Sequence, residues 1–517
     1  LKADAIAQAV GIAPNSPYRV EAALNYTLQE AANEGHVFLQ PNDIVTKLIG
    51  RKGLVEASGV EIADVAVANQ RLINDGRCVR DGDAVYAKGL YIAECTVAEA
   101  IKLLLEQFVA PIPGLDEMIA EAEKNTGFEY ESLQKEAIKT ALSSGLSIIT
   151  GGPGTGKSTI TKAIVDIYHK VYPEHEIYLA APTGRAAKRL GEATGKEAKT
   201  IHRLLRYSPI YGGFEFNSEN PLYGPGLLVI DEISMVDIEL MSSLLQAVDD
   251  LQVVLIGDQD QLPSVGPGSV LRDCIASGAV PMVKLEFNYR QAGGSIIAEH
   301  AHSICRGEVP SLVDQGDFGF VEVEDVEKAR QAVESLVRQA LEAGYSKNDF
   351  QVLSPMYRGD AGINKLNEVI REIVNRATGS EEYFGSFRVG DKVLCIKNNY
   401  ELGCFNGDMG EVVAVEKSKM HVNLDGYIVE VPYEYRDQFV LGYAVSVHKS
   451  QGSEFPIVIL VLVKGHYMML VRQIIYTAVT RARNKLVLVA DPYAVKKAVQ
   501  NNKVERRWSM LAERIKG

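Results

Sequence analysis

The stretch Leu146–Tyr168, LSIITGGPGTGKSTITKAIVDIY, constrains this chain more than any other. Ile148 and Ile149 close a short apolar run of the kind that forms a buried strand. From Ser158 onward apolar residues recur at Ile160, Ala163, Ile164 and Ile167, the period of a helix packed on one face. Between them Gly151, Gly156, Lys157 and Ser158 satisfy G-x-x-x-x-G-K-[ST] in the strand–loop–helix setting that gives the motif meaning. Gly152, Gly154, Thr155, Gly156 and Thr159 complete a loop whose backbone N–H groups can converge on a polyphosphate at a positive helix end. Lys157 would bridge β- and γ-phosphate oxygens, and the Ser158 hydroxyl would hold Mg²⁺. The residues therefore point to a nucleoside triphosphate, ATP in the simplest case.

At 517 residues the chain exceeds one ordinary core, and three to four domains are expected. Its formal net charge of -13 excludes a generally basic nucleic-acid coat, though not a locally basic channel. The six cysteines form no C-x-x-C pair and no ligand cluster with histidines, so reduced thiols and a cytosolic setting are expected. The longest apolar run, Phe455–Val463, falls short of a membrane helix, and no signal peptide is visible. Leu1 in place of an initiator Met leads to the expectation of a fragment with sequence upstream.

Pattern along the chain gives an α/β protein. Residues 1–110 read as helices ending in a hairpin at Asp81-Gly82, either a winged-helix module or a small helical packing domain. Pro111, Pro113 and Gly114 mark a linker. Across 111–290 the apolar segments LSIIT, IYLAAP, LLVIDE, QVVLIGD and MVKLEF alternate with helices, as in a parallel sheet with crossovers. A second α/β lobe is expected over 291–386 and 441–517. Between its halves, 387–440 reads as a small β-barrel of SH3-like size, with turns at Asn406-Gly407 and Asp425-Gly426.

In LLVIDEISMVD, Asp231 and Glu232 end a buried strand. After a phosphate loop, Asp231 is expected to hold Mg²⁺ and Glu232 to polarise the attacking water. Gln261, in GDQDQLPSVGPGS, offers a neutral amide that could sense the γ-phosphate.

The ordered set GGPGTGKST, APTGRAAKRL, TIHRLL, VIDEISMVD, GDQDQLPSVGPGS, NYRQ, YAVSVHKSQGSEF and YTAVTRARN resembles superfamily 1 helicases of the 5′→3′ branch, and within it the free-standing bacterial RecD-like enzymes. The resemblance implies two RecA-like lobes with ATP between them and single-stranded DNA across their top. By position it makes Gln134 the reader of adenine and Tyr289 a stacking aromatic. Arg290 and Arg481 become arginines reaching the γ-phosphate from opposite lobes, and Gly452 and Glu454 part of the nucleotide site. On the DNA side it implies Thr183, His202, Arg358, Ser446, His448, Lys449 and Ser450. The basic run from Arg185 through Arg203 to Arg206 adds a candidate phosphate track. Single-stranded DNA and its junctions with duplex are the implied partners, beside single-strand-binding or repair proteins, for a monomer in the bacterial cytoplasm at the nucleoid. An ATP-dependent 5′→3′ DNA helicase of repair or recombination follows. A translocase that strips proteins from DNA and a nucleotide-gated switch are the alternatives. Residues 208–226 exceed what a crossover needs; Gly212-Gly213, Tyr211, Phe214 and Phe216 suggest a hairpin acting as a strand-separating pin.

Overall fold

The computed structural model describes residues 6, 9–13, 16–49, 60–208, 212–289, 293–379, 382–399, 401–424, 426–502 and 507–517. Arg290, Tyr211 and Asp425, all named above, lie outside them. Among the described residues no helix is long and apolar enough to cross a membrane.

The first lobe is a six-stranded sheet, all parallel, in the spatial order Met282–Leu285, Leu146–Gly151, Leu251–Gly257, Gly226–Ile230, Glu176–Ala181, Ala198–Thr200. Five of these strands are the apolar runs read in the sequence. The sixth, Ala198–Thr200, carries a lysine in a three-residue edge strand and lacks the apolar signature of a buried one. Helices cover both faces, as parallel strands buried on both sides demand.

The second lobe is a five-stranded parallel sheet in the order Phe318–Glu322, Ala482–Ala490, Phe455–Leu462, Phe350–Leu353, Ala444–Val445. Between its halves sits an antiparallel five-stranded sheet running from Lys392–Cys395 to Phe439–Leu441, close to the expected barrel. Its interior is a separate cluster that includes Phe384, Val393, Val412, Met420, Val422 and Phe439.

The ends of the chain depart from the expected division. Helix Lys88–Glu106 does not sit in a detached N-terminal domain. It turns Leu90, Val97, Ile101 and Leu104 into the core of the first lobe, against Met241 and Leu244. Full burial of one such side chain contributes about 1.5–3 kcal/mol, so the stripe fuses this region to the motor. The expected hairpin is present, Cys78–Asp81 pairing with Ala84–Ala87, and Phe38–Leu39 adds a third strand. The C-terminal helix Leu511–Lys516 also leaves the second lobe and packs on Lys88–Glu106 and Val270–Ser277. There Arg514 donates to Glu94 (3.0 Å) and Asp81 (2.5 Å), and Leu511 and Ile515 enter the first-lobe core. A 3.6-residue stripe shows that a helix has a partner, not which lobe supplies it.

Candidate nucleotide cleft and nucleic-acid channel

The phosphate loop takes the shape its glycines permit. Gly154 and Gly156 have φ of +80° and +86°, where a side chain would strain the backbone, and Gly156 also has Gln134 pressed against it. Thr155 is buried and donates to Gly152 O (2.9 Å), holding the loop from beneath. Lys157 Nζ donates to the carbonyls of Gly151 (2.5 Å) and Gly152 (2.9 Å), at the start of helix Lys157–Val171.

A cleft of about 250 Å³ opens above this loop, lined by Gly152, Gly154, Gly156, Lys157, Ser158, Thr159, Asp231, Glu232 and Gln261 of the first lobe. Glu454 and Arg481 of the second lobe close its far side, with Arg189 of helix Gly184–Thr194 beside them. Glu232 adopts φ +54°, a left-handed conformation unusual for a non-glycine residue, and its Oε1 accepts from Arg189 (3.2 Å). Burial alone would raise its carboxyl. The positive field of Arg481, Arg189 and Lys157 overrides that and keeps it below the usual value. Asp231 is pushed up to about 6 by burial and by the neighbouring Glu232 charge, so this is a position that a divalent cation would relieve. The Gln261 side-chain carbonyl is buried with no hydrogen-bond partner, an orphan acceptor at the cleft wall. Arg481 is 3% exposed and donates to Thr477 O (3.1 Å), Ser453 O (3.2 Å) and Thr480 Oγ1 (3.3 Å). A guanidinium has five N–H groups, so donors remain for an anion in the cleft.

Several expected nucleotide residues stand outside this lining. Gln134 is buried behind Gly156, its amide donating to Thr155 O (3.1 Å) and accepting from Glu131 N and Tyr289 OH (2.7 Å). With Tyr289 N donating to Gly154 O (3.0 Å) and Asn288 to Pro153 O (2.9 Å), these residues clasp the loop from outside. Gly452 is likewise not among the residues lining the cleft. A Cβ there would stand 2.7 Å from Thr183 Oγ1, so this glycine lets the two lobes approach.

The second large opening, about 820 Å³, runs between both lobes and the barrel. It brings together Thr183 and His202 from the first lobe, Arg358, Ser446, His448 and Lys449 from the second, and Asn398, Phe405 and Asn406 from the barrel. Tyr357 is 53% exposed at its wall, and Lys449 donates to Asn406. Burial lowers the pKa of both His202 and Lys449. Ser450 is not part of the channel: it is fully buried and donates to Val447 O (2.7 Å), a turn-closing bond. The basic track divides as well. Arg185 faces a different cleft between the lobes, over the Phe455 ring, because one turn of helix places Arg185, Lys188 and Arg189 away from His202. Arg203 lies over the Phe405 ring at 4.8 Å and lines an outer groove with Lys196, Lys199 and Arg206.

Unforeseen in the sequence is the bridge between cleft and second lobe. After strand Leu251–Gly257, Asp258 accepts from Tyr476 OH (2.8 Å), and Leu262 N donates to Thr477 Oγ1 (3.0 Å). Gln473 donates to Gln261 O (3.2 Å) and Gln451 to Leu262 O (2.9 Å). The motif order marked both segments; nothing in their spacing told that they touch.

Comparison with known proteins fits this arrangement. Residues 134–267 match an AAA domain, 441–489 a UvrD-like helicase C-terminal domain, 366–425 the SH3 domain of ATP-dependent RecD-like DNA helicases, and 1–38 the HHH domain of ATP-dependent RecD2 DNA helicases. The chain is 36% identical over its whole length to the ATP-dependent RecD2 DNA helicase of Deinococcus radiodurans, covering 71% of that protein. It is 32% identical to the RecBCD enzyme subunit RecD of Mycolicibacterium smegmatis, over 84% of this chain and 83% of that one. A Bacteroides Pif1 helicase solved with ADP-AlF3 and single-stranded DNA aligns over 71% of this chain and 94% of its own, at 19% identity and a TM-score of 0.45. With a relative this similar across the whole of this chain, and with the phosphate loop, the acidic strand end and the second-lobe arginine gathered at one cleft, the chain belongs to the RecD-like superfamily 1 DNA helicases.

Proposed function

We propose that this chain is an ATP-driven motor that moves 5′→3′ on single-stranded DNA and unwinds the duplex it meets, in repair or recombination. The observation that carries the reading is the bridge of Asp258, Gln261 and Leu262 to Tyr476, Thr477, Gln473 and Gln451. Its first-lobe side lines the nucleotide cleft through Gln261, and Gln451 lines the channel. A change at the γ-phosphate end thus has a direct hydrogen-bonded route to the surface that would hold DNA, as a motor requires and a passive binding module does not.

The residues present suit Mg²⁺ as well as ATP, since an exposed Ser158 hydroxyl and a carboxylate disfavoured by its own surroundings share one cleft. Mg²⁺ would be held by Ser158 and Asp231 and would neutralise phosphate charge. Glu232, kept ionised by Arg481, Arg189 and Lys157, orients water and accepts its proton. Arg481 offers its remaining N–H groups to the charge that develops on the transferred phosphoryl, which makes turnover depend on the second lobe being in place. In the channel, Thr183, Ser446 and Lys449 suit backbone phosphates, and Tyr357 offers a face for a base.

Two assays test this. Single-stranded DNA should raise steady-state ATP hydrolysis many-fold, and unwinding should need a 5′ tail; unwinding from a 3′ tail alone would refute the polarity, which rests on family membership. Strand separation is assigned to the hairpin formed by Tyr207–Ser208 and Gly213–Phe214. Phe216 and Leu222 beyond it are buried in the first-lobe core, so excising the whole of 208–226 would damage the fold. Replacing only Pro209–Gly212 with two glycines should keep DNA-stimulated hydrolysis while unwinding falls at least tenfold. Parental unwinding by that variant would remove the pin from the mechanism.

A further inference from the structure

Beside the nucleotide cleft lies a second cavity between the lobes, about 480 Å³, which no step above uses. Two residues, Arg189 and Glu454, line both cavities and form the partition between them. Arg189 sends one guanidinium nitrogen to Glu232 (3.2 Å) and another towards Glu454 (3.8 Å), while its Nε is buried with no hydrogen-bond partner. The partition is therefore a pair of side chains, one from each lobe.

The second cavity is cationic in a chain of net charge -13. Arg185, Lys188, Arg189, Lys392 and Arg483 face it, against Glu192, Glu411 and Glu454. Of these carboxylates Glu411 is paired with Lys347 (2.7 Å), and Glu454 is shared between Arg189 and Arg483 (3.9 Å). Lys392 is 5% exposed, and its ammonium donates to the carbonyls of Lys347 (3.0 Å) and Phe350 (3.2 Å). Among the described residues it makes no ion pair. Burial, and to a lesser degree the neighbouring Arg185 and Lys347, depresses its pKa to about 7.

We infer that this cavity is the receiving site for the orthophosphate produced in the nucleotide cleft, with Arg189 and Glu454 as its gate. The inference rests on the proposed ATPase reading. Hydrolysis breaks the Pγ–O bond to the ADP leaving group and forms a bond from water oxygen to phosphorus, releasing a proton and a phosphate dianion at the Glu232 end. The phosphate loop and ADP close the side opposite. On the remaining side a dianion meets Arg189 first and then Lys188 and Arg483, so the field draws it outward. Leaving this way, it displaces Arg189 from Glu454 and so loosens a contact between the lobes: release of phosphate and opening of the cleft become one event.

The test reverses charge on the outer wall, at residues outside the catalytic set. In the Lys188→Glu/Arg483→Glu variant of the full chain, bound to single-stranded DNA, cleavage is followed by rapid quench. Phosphate appearing in solution is followed by a fluorescent phosphate sensor. Cleavage of the first ATP should keep the parental rate, whereas phosphate release should slow about tenfold, giving a burst of enzyme-held phosphate. Lys188→Arg/Arg483→Lys should restore parental release. Release that keeps pace with cleavage in the charge-reversed variant, or a loss confined to the cleavage step, overturns the exit route. Absence of DNA-stimulated hydrolysis in the parental chain would instead defeat the proposed function, which separates the two failures.

Discussion

The nucleotide cleft and the channel differ in how they are built. The cleft is small and charge-dense, with Lys157, Arg189 and Arg481 set against Asp231, Glu232 and Glu454. The channel is more than three times as large, and among the residues lining it only Arg358 and Lys449 carry permanent charge, beside Tyr357, Phe405, Met235, Met468 and Met469. A site that stabilises a developing charge concentrates its work in a few groups. One that must hold a strand and let it slide spreads contact over many weak partners. Removing single residues should therefore be catastrophic in the cleft and graded in the channel.

The largest effect expected is at Glu232. Glu232→Gln keeps shape and burial but removes the base, so turnover should fall at least about 10²–10³-fold, the scale of losing one transition-state group. Nucleotide binding and single-strand affinity should persist. Lys157→Ala should lose both binding and hydrolysis. If Glu232→Gln still hydrolysed ATP at the parental rate with DNA bound, the contrast between the two regions would collapse at its strongest point.

In the channel, Tyr357→Ala should weaken single-strand binding roughly tenfold, since stacking of one base contributes about 1–3 kcal/mol. The maximal ATPase rate at saturating DNA should be unchanged. The salt response sharpens the comparison further. Single strands release about 0.7 counterion per phosphate neutralised, so two cations predict that the logarithm of the association constant falls against log salt with a slope of about -1.4. A slope of -4 or steeper would mean that the outer groove of Lys196, Lys199, Arg203 and Arg206 shares the load.

The same contrast explains what could be read from the sequence. The cleft was legible because its key residues are local: a phosphate loop and a strand-end Asp-Glu pair each announce their geometry within a dozen residues. Arg481 and Glu454 were reachable only through the order of motifs, since they come from the other lobe. The channel was half legible. Thr183, His202, Arg358, Ser446, His448 and Lys449 converge as the resemblance implied, yet Phe405, Asn398 and Asn406 come from a barrel loop in which the pattern marked only Asn406-Gly407, as a turn. Where reading failed, it failed on direction. Arg185 and Arg203 belong to one basic run but point into different clefts, and Ser450 shares a motif with Lys449 but turns inward. Composition reports charge per segment, whereas a helix face or a single turn decides which solvent that charge meets.

The smallest expected effect tests the wire between the regions. Thr477 Oγ1 accepts from the buried Leu262 N–H, one of the bonds that carry the Asp258–Leu262 loop onto the second lobe. Thr477→Val keeps the volume and removes the acceptor, leaving a buried donor unsatisfied at about 1–3 kcal/mol. Arg481 keeps its own bond to Thr477, since that bond uses the backbone carbonyl. Neither the catalytic groups nor the channel lining is touched, so basal hydrolysis and single-strand affinity should stay within about twofold. What should fall is the factor by which DNA accelerates hydrolysis, by roughly fivefold to tenfold, because the bond lost holds the lobes in the arrangement that DNA stabilises. A parallel drop in basal hydrolysis would instead make Thr477 a simple support for the cleft. An unchanged stimulation factor would mean that the remaining bonds of the bridge, from Tyr476, Gln473 and Gln451, carry the coupling, and Tyr476→Phe, which removes the hydroxyl donating to Asp258, is the next variant to show the loss that Thr477→Val did not.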